Sequence, residues 1–309
     1  MSAASTLVSP SWNIFRDLGQ LVSYPFMVHA LVAGTIVAGV AGVVGWFMVL
    51  RRQSFAGHTL ALVGFPGAAG AALLGIAVAY GYFAGAILAA LAIGLLPGGG
   101  PRARGEESAI TGTVQAFVLA CGFLFVALYP GFLGGLNALL FGSFLGISLS
   151  QVYVLAVAAV LVLGVLAVGA RPLLFASLDP EAAAARGVPV RVLAGGFLLL
   201  LAVAVAEVSQ ITGALLVFAL LVMPAATAQL LTARPVVGII LSALIGVVVT
   251  WLALAVGFYT PYPVGFFITS IGFGCYLLAQ LYMLLSARLA RTGADDAGGK
   301  GAALSGGRV

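Results

Sequence analysis

Apolar residues run along this chain in blocks of about 20, broken by short clusters of arginine, glycine and proline. In order, the blocks predict spans over 26–50, 55–80, 83–96 and 109–128, then 152–170, 236–258 and 264–286. The block over 192–233 is long enough for two more, with SQITG as the turn. A helix needs roughly 20 apolar residues to cross a bilayer, so 83–96 is short. The stretch PGFLGGLNALLFGSFLGISLS is too broken by glycine for a full span and reads as a partial helix on the outer side. The count is nine spans, or eight if one weak segment re-enters. Residues 1–24 read as an interfacial or external segment, 25–287 as the transmembrane domain and 288–309 as a disordered Gly/Ala-rich tail.

Composition agrees with this pattern. Hydrophobic residues make up 63% of the chain and charged residues 7%, and long unbroken apolar runs do not match the alternation of barrel strands. The expected fold class is all-α, a polytopic helical membrane protein. Cys121 and Cys275 lie in apolar runs without metal-type spacing and read as packing residues. The net charge of +5 belongs mostly to loop arginines, so it speaks of orientation in the bilayer and against nucleic acid as a partner. Placing Arg51 and Arg52, Arg102 and Arg104, the 171–191 loop, Arg234, Arg288 and Arg291 on one side leaves two crossings between each consecutive pair. By the excess of positive charge on cytoplasmic loops, the amino terminus is then outside and the carboxyl terminus inside.

The loop over 171–191, RPLLFASLDPEAAAARGVPVR, is the most structured of the polar interruptions. Asp179 before Pro180 reads as a helix N-cap with proline at the first position, Glu181 lies in the first turn, and Arg186 and Gly187 close a short alanine-rich helix. It is either a solvated linker or a docking element for a cytoplasmic partner. The chain has no GxxxxGK[ST] phosphate loop, so any ATP must be bound by another polypeptide.

Several motifs now carry a family resemblance. VLRRQSFAGHTLALVGFPGAAGAALLG, EESAITG, LFGSFLG, SLDPEAAAARGVPVR and TGALLVFALLVMPAATAQLL occur in this order. Together they resemble the permease subunits of metal-ion ABC transporters of the zinc and manganese uptake type. The resemblance implies a permease that homodimerises in the plasma or inner membrane. It also implies an ATPase subunit gripping Asp179, Glu181, Arg186 and Gly187, and a solute-binding protein that delivers a divalent metal ion outside. It implies no resident cofactor, the metal being cargo, and no enzymatic activity in this chain.

The first motif also departs from the family. There the pattern is an arginine pair, Gly-Asp-x-x-x-His and a later Pro-Gly, with the Asp and His reaching into the path. Here Gly57 matches, but His58 stands at the Asp position and Leu62 at the His position. Residues four apart share a helix face, so one of two expected ligands is missing. His58 reads either as a weak metal ligand or as a polar residue at a helix start. His29 is an interfacial residue or a ligand. Glu207, the one acid inside a long apolar run, is expected about one turn from the outer surface, in a vestibule that receives substrate. Pro224 kinks its helix and Thr227 lies among small residues, suited to a gate or to close packing. Two alternatives remain open: a permease for a metal chelate such as a siderophore, haem or cobalamin, and an ion-coupled secondary carrier using Glu207.

Overall fold

The computed structural model describes residues 14–95, 103–129, 142, 146–214 and 216–305, with side chains described over 19–95, 111–129, 142, 146–214 and 216–288. Eleven helices are present among them: α1 Ile14–Ser23, α2 Pro25–Leu50, α3 Ser54–Leu73, α4 Val78–Leu95, α5 Ala103–Leu128, α6 Leu149–Leu178, α7 Pro180–Ala185, α8 Val190–Thr212, α9 Val217–Leu231, α10 Pro235–Tyr259 and α11 Val264–Ser305. Eight are long and apolar enough to cross a membrane, and α9, with 15 residues, is shorter. At about 1.5 Å per residue α9 falls short of the roughly 30 Å hydrocarbon core. The weak segment is therefore α9, not the one expected over 83–96. There the turn after α3 comes early, with Gly75 in the left-handed region (φ 71°), and α4 recovers a full span from Val78.

Small residues set how closely the helices approach. α2 is the hub, lying against α6, α8, α9 and α10. A methyl group added at Gly42 would lie 2.6 Å from the Ala243 Cα, and one at Gly34 would lie 2.9 Å from the Thr250 side chain, so α2 and α10 touch backbone to backbone. Gly45 meets the Leu221 carbonyl of α9 in the same way. A second seam joins α3 to α4 through Gly67, Gly81 and Gly85, and α3 to α5 through Pro66 against Gly122. Lipid tails are as apolar as the helices, so close contact and interhelical hydrogen bonds, more than hydrophobicity, hold such seams. Ser242 Oγ donates to the Gly42 carbonyl at 2.7 Å, Trp251 Nε1 to Thr35 Oγ1 at 2.8 Å, and Gln229 Nε2 to the Trp46 carbonyl at 2.8 Å.

Four boundaries differ from expectation. α6 continues through Arg171 and Pro172 to Leu178, with Arg171 exposed and Pro172 inside the helix. α8 runs through Ser209 to Thr212, and the turn begins at Gly213. Ser209 and Thr212 return their hydroxyl protons to the carbonyls of Val205 and Val208, at 2.7 and 3.0 Å, which satisfies them inside the span. α5 starts at Ala103, earlier than the expected 109, and the helical backbone of α11 carries on through Ser305 where a disordered tail was expected. Most of the Gly-rich stretch over 130–150 and residues 1–13 lie outside the described residues.

Candidate translocation site and coupling surface

The polar element between α6 and α8 forms as its local sequence dictates. Asp179 Oδ1 accepts from the Ala182 amide at 2.9 Å, Pro180 takes the first helical position and Glu181 lies in the first turn of α7. At the other end Gly187 adopts φ 80°, the Val188 amide donates to the Ala183 carbonyl and the Gly187 amide to the Ala184 carbonyl, both at 3.0 Å. That pair of bonds is the left-handed glycine stop of a helix. Ala183 is fully buried beneath α7, while Asp179, Glu181, Arg186 and Gly187 are exposed. The Arg186 guanidinium lies over the Phe175 ring at 5.5 Å and braces α7 on the end of α6. Two recesses adjoin this helix. One of about 490 Å³ is lined by Glu181, Ala184, Pro189 and Arg191. The other, of about 650 Å³, lies between Arg51, Arg52, Gln53 and the Ser177–Pro180 corner.

The expected path residues are more dispersed. His58 is in the second turn of α3, half-buried, with its ring 4.9 Å from Phe218 of α9 in an edge-on arrangement. Its Nδ1 is buried and has no hydrogen-bond partner among the described residues. Leu62 is half-buried one turn further along the same face of α3. The neighbouring Thr59 donates to Gln115 Oε1 of α5 at 2.9 Å, which ties this turn to a third helix. Pro224 and Thr227 are buried in α9, where Thr227 Oγ1 donates back to the Met223 carbonyl at 2.7 Å and Pro224 lies near Gly246 of α10. His29 is half-buried near the start of α2.

Glu207 is not in an open vestibule. It is fully enclosed within α8, which continues through SQIT to Thr212 and is packed by α2, α3, α4 and α6. Neither carboxylate oxygen has a hydrogen-bond partner among the described residues, and Gln210 Nε2, one turn on, is buried and unpartnered too. Among the described residues no three His, Cys, Asp or Glu side chains are grouped closely enough to hold a metal ion. The structure thus brings α3 and α9 together at His58 and Phe218.

Sequence reasoning missed Arg51, Ser177 and Phe197, which meet beside α7, as well as Phe218 and Gln115. In the sequence Arg51 counts for its charge and as half of the arginine pair of the first motif, with no contact attached to it. Its doubling with Arg52 immediately before the departed motif was the available signal.

Eight apolar spans, close small-residue seams and a capped, exposed helix define a multi-span helical membrane protein. The chain belongs to the ABC 3 transport family, which matches residues 23–283. It is 32% identical over 236 residues to the manganese transport system membrane protein MntC of Halalkalibacterium halodurans, covering 76% of this chain and 80% of that one. The chelated iron transport system membrane protein YfeD of Yersinia pestis is 28% identical over 269 residues, 87% of this chain and 89% of that one. Among solved structures, PsaBC from Streptococcus pneumoniae in complex with Fab superposes with a TM-score of 0.76 at 26% identity, covering 86% of this chain and 95% of that one. The ion-coupled carrier alternative falls away, since the matching family is one of ABC transporters.

Proposed function

We propose that two copies of this chain form the path of an ATP-driven importer for a divalent metal ion, manganese foremost, with iron and zinc as competitors. The relatives' names support that order, since the similar proteins include manganese and iron permeases. In this reading a separate subunit binds and hydrolyses ATP, docks on α7 through Glu181 and the recesses beside it, and a solute-binding protein delivers the ion on the opposite face. The amino terminus is outside and the carboxyl terminus in the cytoplasm. His58, Leu62, Glu207, Pro224 and Thr227 belong to the path. His58 offers an imidazole, Glu207 a carboxylate, and the small residues of α9 a seam that can open. Closure of the ATPases on nucleotide is passed through α7 to the spans and exposes the path to each side in turn.

The observation that carries this reading is α7 itself, a six-residue helix capped at both ends, exposed along its polar side and braced on α6 by Arg186. A second reading, a chelate as cargo, is favoured by the pairing of His58 with Leu62 in place of two ligands, and by the chelated-iron relatives. Uptake into vesicles holding the permease with its ATPase and binding protein, compared for Mn(II), Fe(II), Zn(II) and chelated iron, tests both. Saturable ATP-dependent entry of a free ion, lowered in His58→Ala and Glu207→Gln, supports the metal path. Entry of chelated iron alone supports the second reading.

A further inference from the structure

Arg51 follows the last residue of α2, and its side chain reaches two other helices. Nη1 donates to Ser177 Oγ at 2.9 Å, and Ser177 Oγ in turn donates to the Leu173 carbonyl at 2.5 Å within the last turns of α6. The guanidinium carbon lies 5.3 Å from the centre of the Phe197 ring on α8, and Nε donates to Gln53 Oε1 at 3.4 Å. Ser177 precedes Asp179, the N-cap of α7, by two residues, and Phe197 lies in the second turn of the helix that follows α7. One side chain therefore holds both helices that carry α7. Burial lowers the pKa of this guanidinium from its ordinary value, but an arginine stays charged under working conditions.

The backbone on the other side of Arg51 has little slack. Arg52 takes φ 57° where glycine is the usual occupant, with its amide on the Val49 carbonyl and the Gln53 amide on the Met48 carbonyl, both at 3.0 Å. Gln53 is the N-cap residue of α3, its backbone carbonyl accepting from the Gly57 amide at 3.0 Å, and His58 follows Gly57. The turn between α2 and α3 is thus a hydrogen-bonded corner of three residues, and a shift of Arg51 is a shift of the start of α3.

We infer that Arg51 is a positioning residue that links the α7 corner to α3, so that displacement of α7 by its partner moves the helix bearing His58. This rests on the reading of α7 as the site where the ATPase docks. The planar guanidinium matters because it stacks on Phe197 while bonding Ser177, a combination a lysine ammonium reproduces only in part.

The test uses the complete transporter in vesicles, with three readouts: co-purification of the ATPase, ATP hydrolysis, and ions imported per ATP hydrolysed. Arg51→Gln and Ser177→Ala are expected to keep the ATPase bound and hydrolysing while ions per ATP fall about 5-fold or more, the low end of ordinary coupling energies. Adding Ser177→Ala to Arg51→Gln is expected to change little further, since both break one contact. Arg51→Lys is expected to recover part of the loss. A wild-type ratio in Arg51→Gln, additive effects in the double variant, or loss of the ATPase from Arg51→Gln with no recovery in Arg51→Lys would each overturn the inference. Failure of the docking reading shows separately, as ATPase binding and coupling that are indifferent to Glu181→Ala and Gly187→Ala.

Discussion

Replacing Glu207 by leucine separates the cost of this residue from its use. The carboxyl group is fully enclosed in α8 and neither oxygen meets a donor among the described residues. A polar group buried without a hydrogen bond costs about 1–3 kcal/mol by mutational measure. Leucine is larger than glutamate by about one methylene and removes that cost without opening a cavity. Glu207→Leu is therefore expected to stabilise the folded permease by about 1–3 kcal/mol. For a chain of this length each kcal/mol corresponds to roughly 2–4 °C in melting temperature. Differential scanning fluorimetry of the purified permease in detergent reads the shift, and uptake in vesicles reads the function. Expected together are a higher melting temperature and a large loss of ATP-driven ion entry, the pattern of a residue kept against stability for what it does. Glu207→Gln is the companion, retaining shape and hydrogen-bonding capacity without a full charge, and is expected to lose uptake also. A lower melting temperature in Glu207→Leu would show that the carboxyl group is held by favourable contacts, and unchanged uptake would remove it from the path; either result refutes the reasoning.

Three further outcomes follow from the geometry. Asp179→Ala removes the acceptor for the Ala182 amide, at about 0.5–2 kcal/mol for a cap, and Gly187→Ala forces a side chain into φ 80° at about 1–2 kcal/mol; each is expected to speed amide exchange over 182–188 and to weaken ATPase co-purification, while leaving the melting temperature of the spans nearly unchanged. Gly42→Ala drives a methyl group to 2.6 Å from the Ala243 backbone and is expected to destabilise the α2–α10 seam by about 1–3 kcal/mol, whereas Gly39→Ala, which meets nothing within 4 Å, should be neutral or slightly stabilising, both read from melting curves. Thr59→Val leaves Gln115 Oε1 without its donor and is expected to cost about 1–3 kcal/mol, with unfolding in graded denaturant as the measure.

Local chemistry made some of this architecture legible and non-local contact hid the rest. Asp179, Pro180, Glu181 and Gly187 specify α7 within nine residues, because a cap, a first-turn proline and a left-handed glycine act on their own neighbours. The span count was legible for the same reason, since crossing a bilayer depends on the length of an apolar run. The ends of the spans were less so. Ser209 and Thr212 look like turn residues in sequence, but their hydroxyls bond back into α8, and Arg171 looks like the exit from lipid although α6 carries on for two more turns. The enclosure of Glu207 depends on helices distant in sequence, α2, α3, α4 and α6, that pack on α8, so its position along a hydropathy trace placed it near a surface it does not reach.

Arg51 shows why the coupling contacts were the hardest to foresee. A cation at the end of a span is sufficiently explained by topology, and that explanation ends the inquiry when only the chain is in view. The structure gives the same guanidinium an acceptor 126 residues away and a ring further on still, at the corner where α7 begins. A charge confined to the membrane boundary by orientation is well placed to do this. It lies at the depth where span ends meet, it is too costly to withdraw into lipid, and its donors remain available to whichever helix end comes alongside. Orientation and transmission therefore make compatible demands on one residue, and exchanging Arg51 for lysine distinguishes them: the boundary charge is retained in full, while the combined stacking on Phe197 and bonding to Ser177 is reproduced only in part.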